Sequence, residues 1–322
     1  MLLAPHHNLC INSKGHVTGT LAVPKGQESD EALSNKTADN KKRQSLLDYR
    51  VFLYDGNFVH DLGSFGKGSS VALALNDEDV IVGHTELLRS YRALPTAFIV
   101  NGRTTHIHVH DPLGRKSSAV SVNNHNQVLI QCQGSRSYIY RDDYLQLLNP
   151  NESEGWRVLA NSINEKGQVV GGYVKPGQRA GGNAFIWDRG QFLALDENTI
   201  GAAQDINEAG QIVGTMRVGS SHKHAFLYES AFHDLGSLGF WNSKALAINN
   251  QGDIVGVAWY LGGGIQVSRA LLWRKKVLID LNELVTSTGW ILKSALDIND
   301  KGQIVGFGEF HNTPQMFLLA LK

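Results

Sequence analysis

Seven times along the chain an apolar residue is followed by Asn, a two-residue turn, a Gly-like position and a further apolar run. The copies are Ile11-Asn12, Leu75-Asn76, Val122-Asn123, Ile163-Asn164, Ile206-Asn207, Ile248-Asn249 and Ile298-Asn299. Successive asparagines lie 41 to 64 residues apart, and short strands recurring at such a period predict a radial or linear repeat architecture. Around Asn207 the pattern predicts strand, tight turn, strand. Asn suits the first position of a type I turn, and Gly210 supplies the left-handed residue of a G1-bulge hairpin. Where Gly is missing, Asp79 and Asn126 take its place, and these residue types tolerate positive φ best after Gly.

The second half of each repeat predicts another hairpin. Ala184-Phe-Ile-Trp187 and Ala225-Phe-Leu-Tyr228 read as third strands, and Phe232-His-Asp-Leu-Gly236 as a fourth. Each repeat is then a four-stranded antiparallel meander, the size of one blade of a β-propeller. Ala stands four positions before the Asn in six copies, from Ala72 to Ala295, often next to a second apolar residue such as Leu73 or Leu296. Both faces of that strand therefore read as buried, as between sheets packed around an axis. The expected fold is all-β: one seven-bladed propeller over residues 1–322, closed by its N- and C-terminal segments. In that closure Met1–Ala4 supplies the strand that the last unit lacks. A β-solenoid is the structural alternative.

In a meander, the turns joining strands one to two and three to four share one edge. The remaining connections share the other, and all the long variable segments belong to this second set: 24–49, 84–95, 175–183 and 260–269. One edge is thus plain and the other decorated, and loops on a rigid scaffold carry function disproportionately. Trp156, Trp241 and Trp290 lie eight or nine residues before a repeat Asn, and Tyr260 begins another long connection. They read either as caps on the blade ends or as an aromatic recognition rim. Arg89, Tyr91 and Arg92 offer a further mixed patch. The charged insertion 24–49 reads as a solvated loop.

Composition narrows the function classes. Thirty basic residues balance thirty acidic ones, so no global field recruits nucleic acid or an anionic membrane. The two cysteines, Cys10 and Cys132, read as buried free thiols. The N-terminus shows no apolar leader, and no apolar run is long enough to span a bilayer, so the expectation is a soluble monomer without membrane insertion. His106, His108 and His110 share one face of a strand and form a weak candidate metal comb, but three ligands in a straight row do not close around one ion. Asp61, Asp234 and Asp280 recur at the end of strand four, which predicts a blade-to-blade hydrogen bond or a turn cap. Asp205 and Asp297, two residues before their asparagines, are the carboxylates a glycosidase on the axis would use. No Walker, His-Glu-x-x-His or Gly-x-Ser-x-Gly motif is present, and no cofactor is expected.

The phrases His224-Ala-Phe-Leu-Tyr228, Asp234-Leu-Gly-Ser-Leu-Gly239 and Ala247-Ile-Asn-Asn-Gln-Gly-Asp-Ile-Val-Gly256 resemble the HAF-repeat family over nearly the whole chain. That resemblance implies a bacterial origin, a repeat protein without an established activity, and an export route, although only one full His-Ala-Phe triplet survives here. The expected function is a non-enzymatic scaffold that binds a protein or carbohydrate partner through its decorated face. The alternative is a carbohydrate-active enzyme, a glycoside hydrolase or lyase with axial carboxylates.

Overall fold

A computed structural model describes residues 2–3, 8–24, 47–66, 68–86, 95–101, 105–109, 115–148, 155–178, 181–262, 265–286 and 288–321. Among these residues the chain is built of short strands paired antiparallel, apart from one parallel bridge, Lys223 to Asn242, between the fifth and sixth units, with one 3-10 turn at Leu281–Leu284 capped by the Asp280 carboxylate. The fourth repeat is representative. Arg157–Ile163, Val169–Val174, Asn183–Asp188 and Gln191–Ala194 pair in chain order as an antiparallel meander. The last repeat has three strands, Trp290–Ile298, Gln303–Phe310 and Thr313–Ala320.

The turn chemistry read from the sequence is present. Gly210 has φ of +81°, and its substitutes Asp79 and Asn126 adopt φ of 62° and 57°. In the innermost strand, strict alternation gives way. A β-bulge follows the Ala in six repeats, for example between Ala203 and Asp205. The Ala is buried, whereas the extra residue after it, such as Leu73, Val120 or Leu296, is only half-buried. The bulge re-aims this residue, so the expectation of full burial on both faces holds for the Ala alone.

In the units that carry it, the strand-two glycine lies so close to strand one that a side chain would clash. A Cβ on Gly214 would lie 2.2 Å from the Ala202 carbonyl oxygen and 2.9 Å from the Phe226 ring. Gly83, Gly171 and Gly306 meet the equivalent carbonyl and the equivalent Phe. The Phe of the Ala-Phe pair thus lies over a glycine floor. In the third repeat Ile130 takes the glycine's place and pairs with Tyr138.

The apolar cores lie between neighbouring units. Val170 and Ala184 pack with Ala203, Ile212 and Phe226 of the next unit. Leu9, Ile11, Val17 and Phe52 of the first unit pack with Val305 of the last. The N-terminal segment does not complete the last unit as expected. Leu2 and Leu3 pair with Ala22 and Leu21 inside the first sheet, because Val17–Pro24 is long enough to hold both Leu9–Ile11 and this two-residue strand along one edge. Two expected loops are also partly strand. The ends of the 24–49 insertion continue the hairpin, with Pro24 opposite Leu47. Around Tyr260 the strands Ile254–Gly262 and Ile265–Arg274 pair without interruption, which sets Tyr260 opposite Val267.

Candidate functional site

At the plain end, the repeat asparagines link one unit to the next. Each Nδ2 donates to the backbone carbonyl of the following repeat Asn: Asn12 to Asn76, then Asn123, Asn164, Asn207, Asn249 and Asn299. Asn299 in turn donates to the Asn12 carbonyl at 2.9 Å. The same side chain closes its own turn, as Asn207 Oδ1 accepts from the Ala209 and Gln211 amides. A second circuit uses the next residue. Side chains of Asp77, Asn124, Glu165, Glu208, Asn250 and Asp300 accept from the backbone amide of the preceding unit. All seven repeats line one cavity of about 210 Å³ here.

The axial carboxylates continue this stitching. Asp205 Oδ2 accepts from the Ile248 amide, and Oδ1 from the Ser162 hydroxyl. Asp297 Oδ2 accepts from the Ile11 amide, which joins the last unit to the first. Burial raises the Asp205 carboxyl above its ordinary value. Burial, opposed by the Ile11 amide and reinforced by the Asp205 charge, pushes Asp297 up to about 7. Cys10 is half-buried and Cys132 buried. Cys10 donates its thiol hydrogen to the Leu73 carbonyl, and burial followed by the charges of Asp297 and Asp205 raises it well above the usual range. These groups are held by neighbours and face one another as structural links.

The strand-four aspartates cap turns and pair within their own unit, which decides between the two readings of the sequence. Asp234 accepts from the Gly236 amide and from His224, the His of the His-Ala-Phe triplet. Arg50 and Arg269 hold the position before the third-strand core in their units and pair with Asp61 and Asp280.

The tryptophans separate into two kinds. Trp156 stacks on Tyr173 at 5.4 Å and meets Phe192 edge-on, as part of a unit core. Trp290 packs on Phe310 and Phe317 in the same way. Trp241 is 54% exposed and lies 6.0 Å from Tyr260 and 6.4 Å from His222, so it belongs to an open aromatic shelf. Arg89, Tyr91, Arg92 and His110 lie outside the described residues, as do the side chains of His106 and His108. No group of three His, Cys, Asp or Glu residues able to hold a metal occurs among the described residues.

A separate cavity of about 600 Å³ opens between the fourth and fifth units. Its wall takes strand starts (Arg157, Gly201, Lys223), strand ends (Tyr173, Arg217) and the connection residue Gly181, so it belongs to the decorated edge. Arg157, Arg217 and Lys223 are exposed, and no Asp or Glu lines the wall among the described residues. Burial, and then the Lys223 charge, lowers the Lys244 ammonium of the next unit below its ordinary value. Sequence reasoning missed this site because its basic residues come from different repeats at unrelated positions. Only Arg157, next to Trp156, carried a local hint.

No protein-family model matches the chain, and no curated protein sequence does. Solved structures do. The β-propeller domain of the trilobed protease from Pyrococcus furiosus, described as having an open velcro topology, superposes with a TM-score of 0.58 at 9% identity, over 97% of this chain and 93% of that one. The Pyrococcus horikoshii acylaminoacyl peptidase gives 0.56 at 8% identity, over 97% of this chain and 50% of its own. A Mycobacterium tuberculosis puromycin-hydrolyzing peptidase gives 0.58 at 11% identity, over 98% and 52%. The chain therefore spans about half the length of these two peptidases. At such identities the likeness concerns the fold alone, and that fold is a β-propeller.

Proposed function

We propose that the chain is a single seven-bladed propeller used as a non-enzymatic recognition scaffold, with a carbohydrate or protein partner bound at its decorated edge. The seven-membered asparagine circuit and the packing of the last unit on the first support the closed ring. In this reading no added strand is needed for closure, and the HAF-type repeat is a structural device whose His pairs with the Asp of its own Asp-Leu-Gly turn. The observation that carries the recognition reading is the open shelf of Trp241, Tyr260 and His222, with Trp241 54% exposed at the decorated edge. Large aromatic side chains left partly uncovered beside a concave site are a common feature of binding surfaces. The axial carboxylates are engaged by backbone amides, which supports a structural role for them over hydrolysis.

The test is binding of the purified protein to arrays of glycans and of extracellular proteins, compared with Trp241→Ala. The expected result is a defined set of ligands lost in the variant. Equal binding by wild type and variant would contradict the assignment of the shelf.

A further inference from the structure

We infer that two copies of this chain pair edge to edge through the third strand of the last unit, Thr313–Ala320, each copy giving the other the fourth strand that this unit lacks. Six units cover the outer side of their third strand with a short fourth one, such as Gln191–Ala194 or Val277–Asp280. In the last unit no strand lies there among the described residues. The edge left open is also long and plain. It runs for eight residues, pairs with Gln303–Phe310 without a bulge and carries no charged side chain. The fourth strands that form the outer edge elsewhere have three to five residues. A long, regular, uncharged edge is a template for another strand, so the backbone itself specifies the class of occupant.

The pairing shows which backbone groups face outward. His311 and Asn312, both at positive φ, make a two-residue turn between Phe310 and Thr313. These two residues exchange hydrogen bonds, and the alternation continues with Gly308 and Gln315, Gly306 and Phe317, and Ile304 and Leu319. The amides and carbonyls of Met316, Leu318 and Ala320 therefore point away from the sheet. Pro314 shares their side but has no N–H to offer, which ends the usable edge. The fourth unit shows the same arrangement completed. There Ala184, the counterpart of Met316, accepts the amide of Leu195 at the end of the fourth strand.

This outward set is complementary to itself, which makes a second copy its occupant. An antiparallel pair with Leu318 opposite Leu318 of the second copy sets Met316 opposite Ala320 on both sides. It is the one register in which these three residues pair only with one another, and in it every outward amide meets a carbonyl. Centring the pair on Met316 instead would set Leu318 against Pro314 and lose a donor. The side chains agree with the backbone. Leu318 is 41% exposed, whereas Ile186 at the same place in the fourth unit is packed into a core. In the pair each Leu318 covers the other. Phe317 and Leu319, which pack in the core shared with the sixth unit, fall opposite Leu319 and Phe317 of the second copy. Trp187 and Phe192 make a cross-strand apolar pair of this kind within the fourth unit. Without charges along it, the edge has nothing by which to select a different chain, and a two-fold contact closes on itself as a dimer.

The experiment is sedimentation velocity of the full chain over the micromolar range, with two variants at the centre of the pair. The wild type should show a monomer–dimer equilibrium. Leu318→Lys and Leu318→Glu each set like charges opposite one another and should weaken the dimer by about tenfold or more. Because this side chain is exposed in the single chain, both variants should melt with the dilute wild type. An equimolar mixture of the two should restore the dimer, which a merely structural role for Leu318 would not do. A wild type that stays monomeric throughout, or a dimer that both substitutions leave unchanged, overturns the proposal. A monomer whose Met316, Leu318 and Ala320 amides are protected from hydrogen exchange gives the edge to a segment of the same chain and overturns the second copy as occupant. A dimer lost in both variants and not restored by mixing overturns the pairing centred on Leu318.

Discussion

At each repeat one asparagine side chain works in two directions. Its oxygen accepts amides of its own turn, and its nitrogen donates to the next unit, as with Asn207 and the Asn249 carbonyl at 3.0 Å. Asp would serve the turn equally well but has no hydrogen to donate. The occurrence of Asn at all seven positions was therefore a legible sign of a donor role. The turn explanation was sufficient by itself and concealed it. Asn207→Asp should preserve the turn yet lose the link, at a cost of about 2–4 kcal/mol from the broken bond and the uncompensated carbonyl, measured by urea unfolding. The tryptophans carry the opposite lesson. Their spacing from the repeat Asn is alike, but their environments depend on neighbouring rings that sequence spacing does not locate. Trp290→Ala should cost about 3 kcal/mol as a packed cap, and Trp241→Ala less than about 0.5 kcal/mol as an exposed residue. Thermal melts of the two variants decide this.

Among the elements, the hairpins were readable because both strand alternation and turn residues are local signals. Asp79 and Asn126 in particular pointed to a left-handed backbone position that the structure contains. The inner-strand bulge was not readable. It trades alternation for a re-aimed residue, and the trade is set by the adjacent sheet. The long hairpin around Tyr260 reads as a loop in the sequence because its Gly-rich tip outweighs the β-forming residues on either side. The floor of strand two gives a sharp test. Gly214→Ala would force a methyl group against the Ala202 carbonyl and the Phe226 ring, for a loss of about 1–3 kcal/mol. Ile130→Ala in the third repeat, where the Ile already replaces this Gly, should be destabilising for the opposite reason, by leaving a cavity.

Across the whole molecule, charge is sorted locally although the chain is neutral. Asp77, Glu165, Glu208 and Asp300 surround the plain mouth, and the basic cavity lies at the decorated edge. Equal totals of acidic and basic residues concealed this separation, and so the cavity was invisible to composition. The joint between last and first units adds a pH dependence. Asp297 is raised to about 7 in the folded chain and has an ordinary carboxylate value when unfolded. The folded state therefore holds a proton that the unfolded state releases between those values. The Asp297 contribution to stability is complete below the ordinary carboxylate range and is lost as pH rises toward 7. Asp297→Ser copies Ser121, whose hydroxyl accepts the Ile163 amide at the equivalent joint, and removes the titration. Denaturant unfolding across pH 5 to 8 should show the variant gaining on the wild type as pH rises, by an amount on the order of a few kcal/mol.

The most direct test of the account is to locate a bound ligand on the native protein. Hydroxyl-radical footprinting with and without a ligand identified on the arrays would read both ends of the molecule in one experiment. The account predicts protection of Trp241 and Tyr260 at the decorated edge, with the plain mouth unchanged. Protection confined to the segments around Asp77, Glu165 and Glu208, with Trp241 still fully reactive, would contradict it.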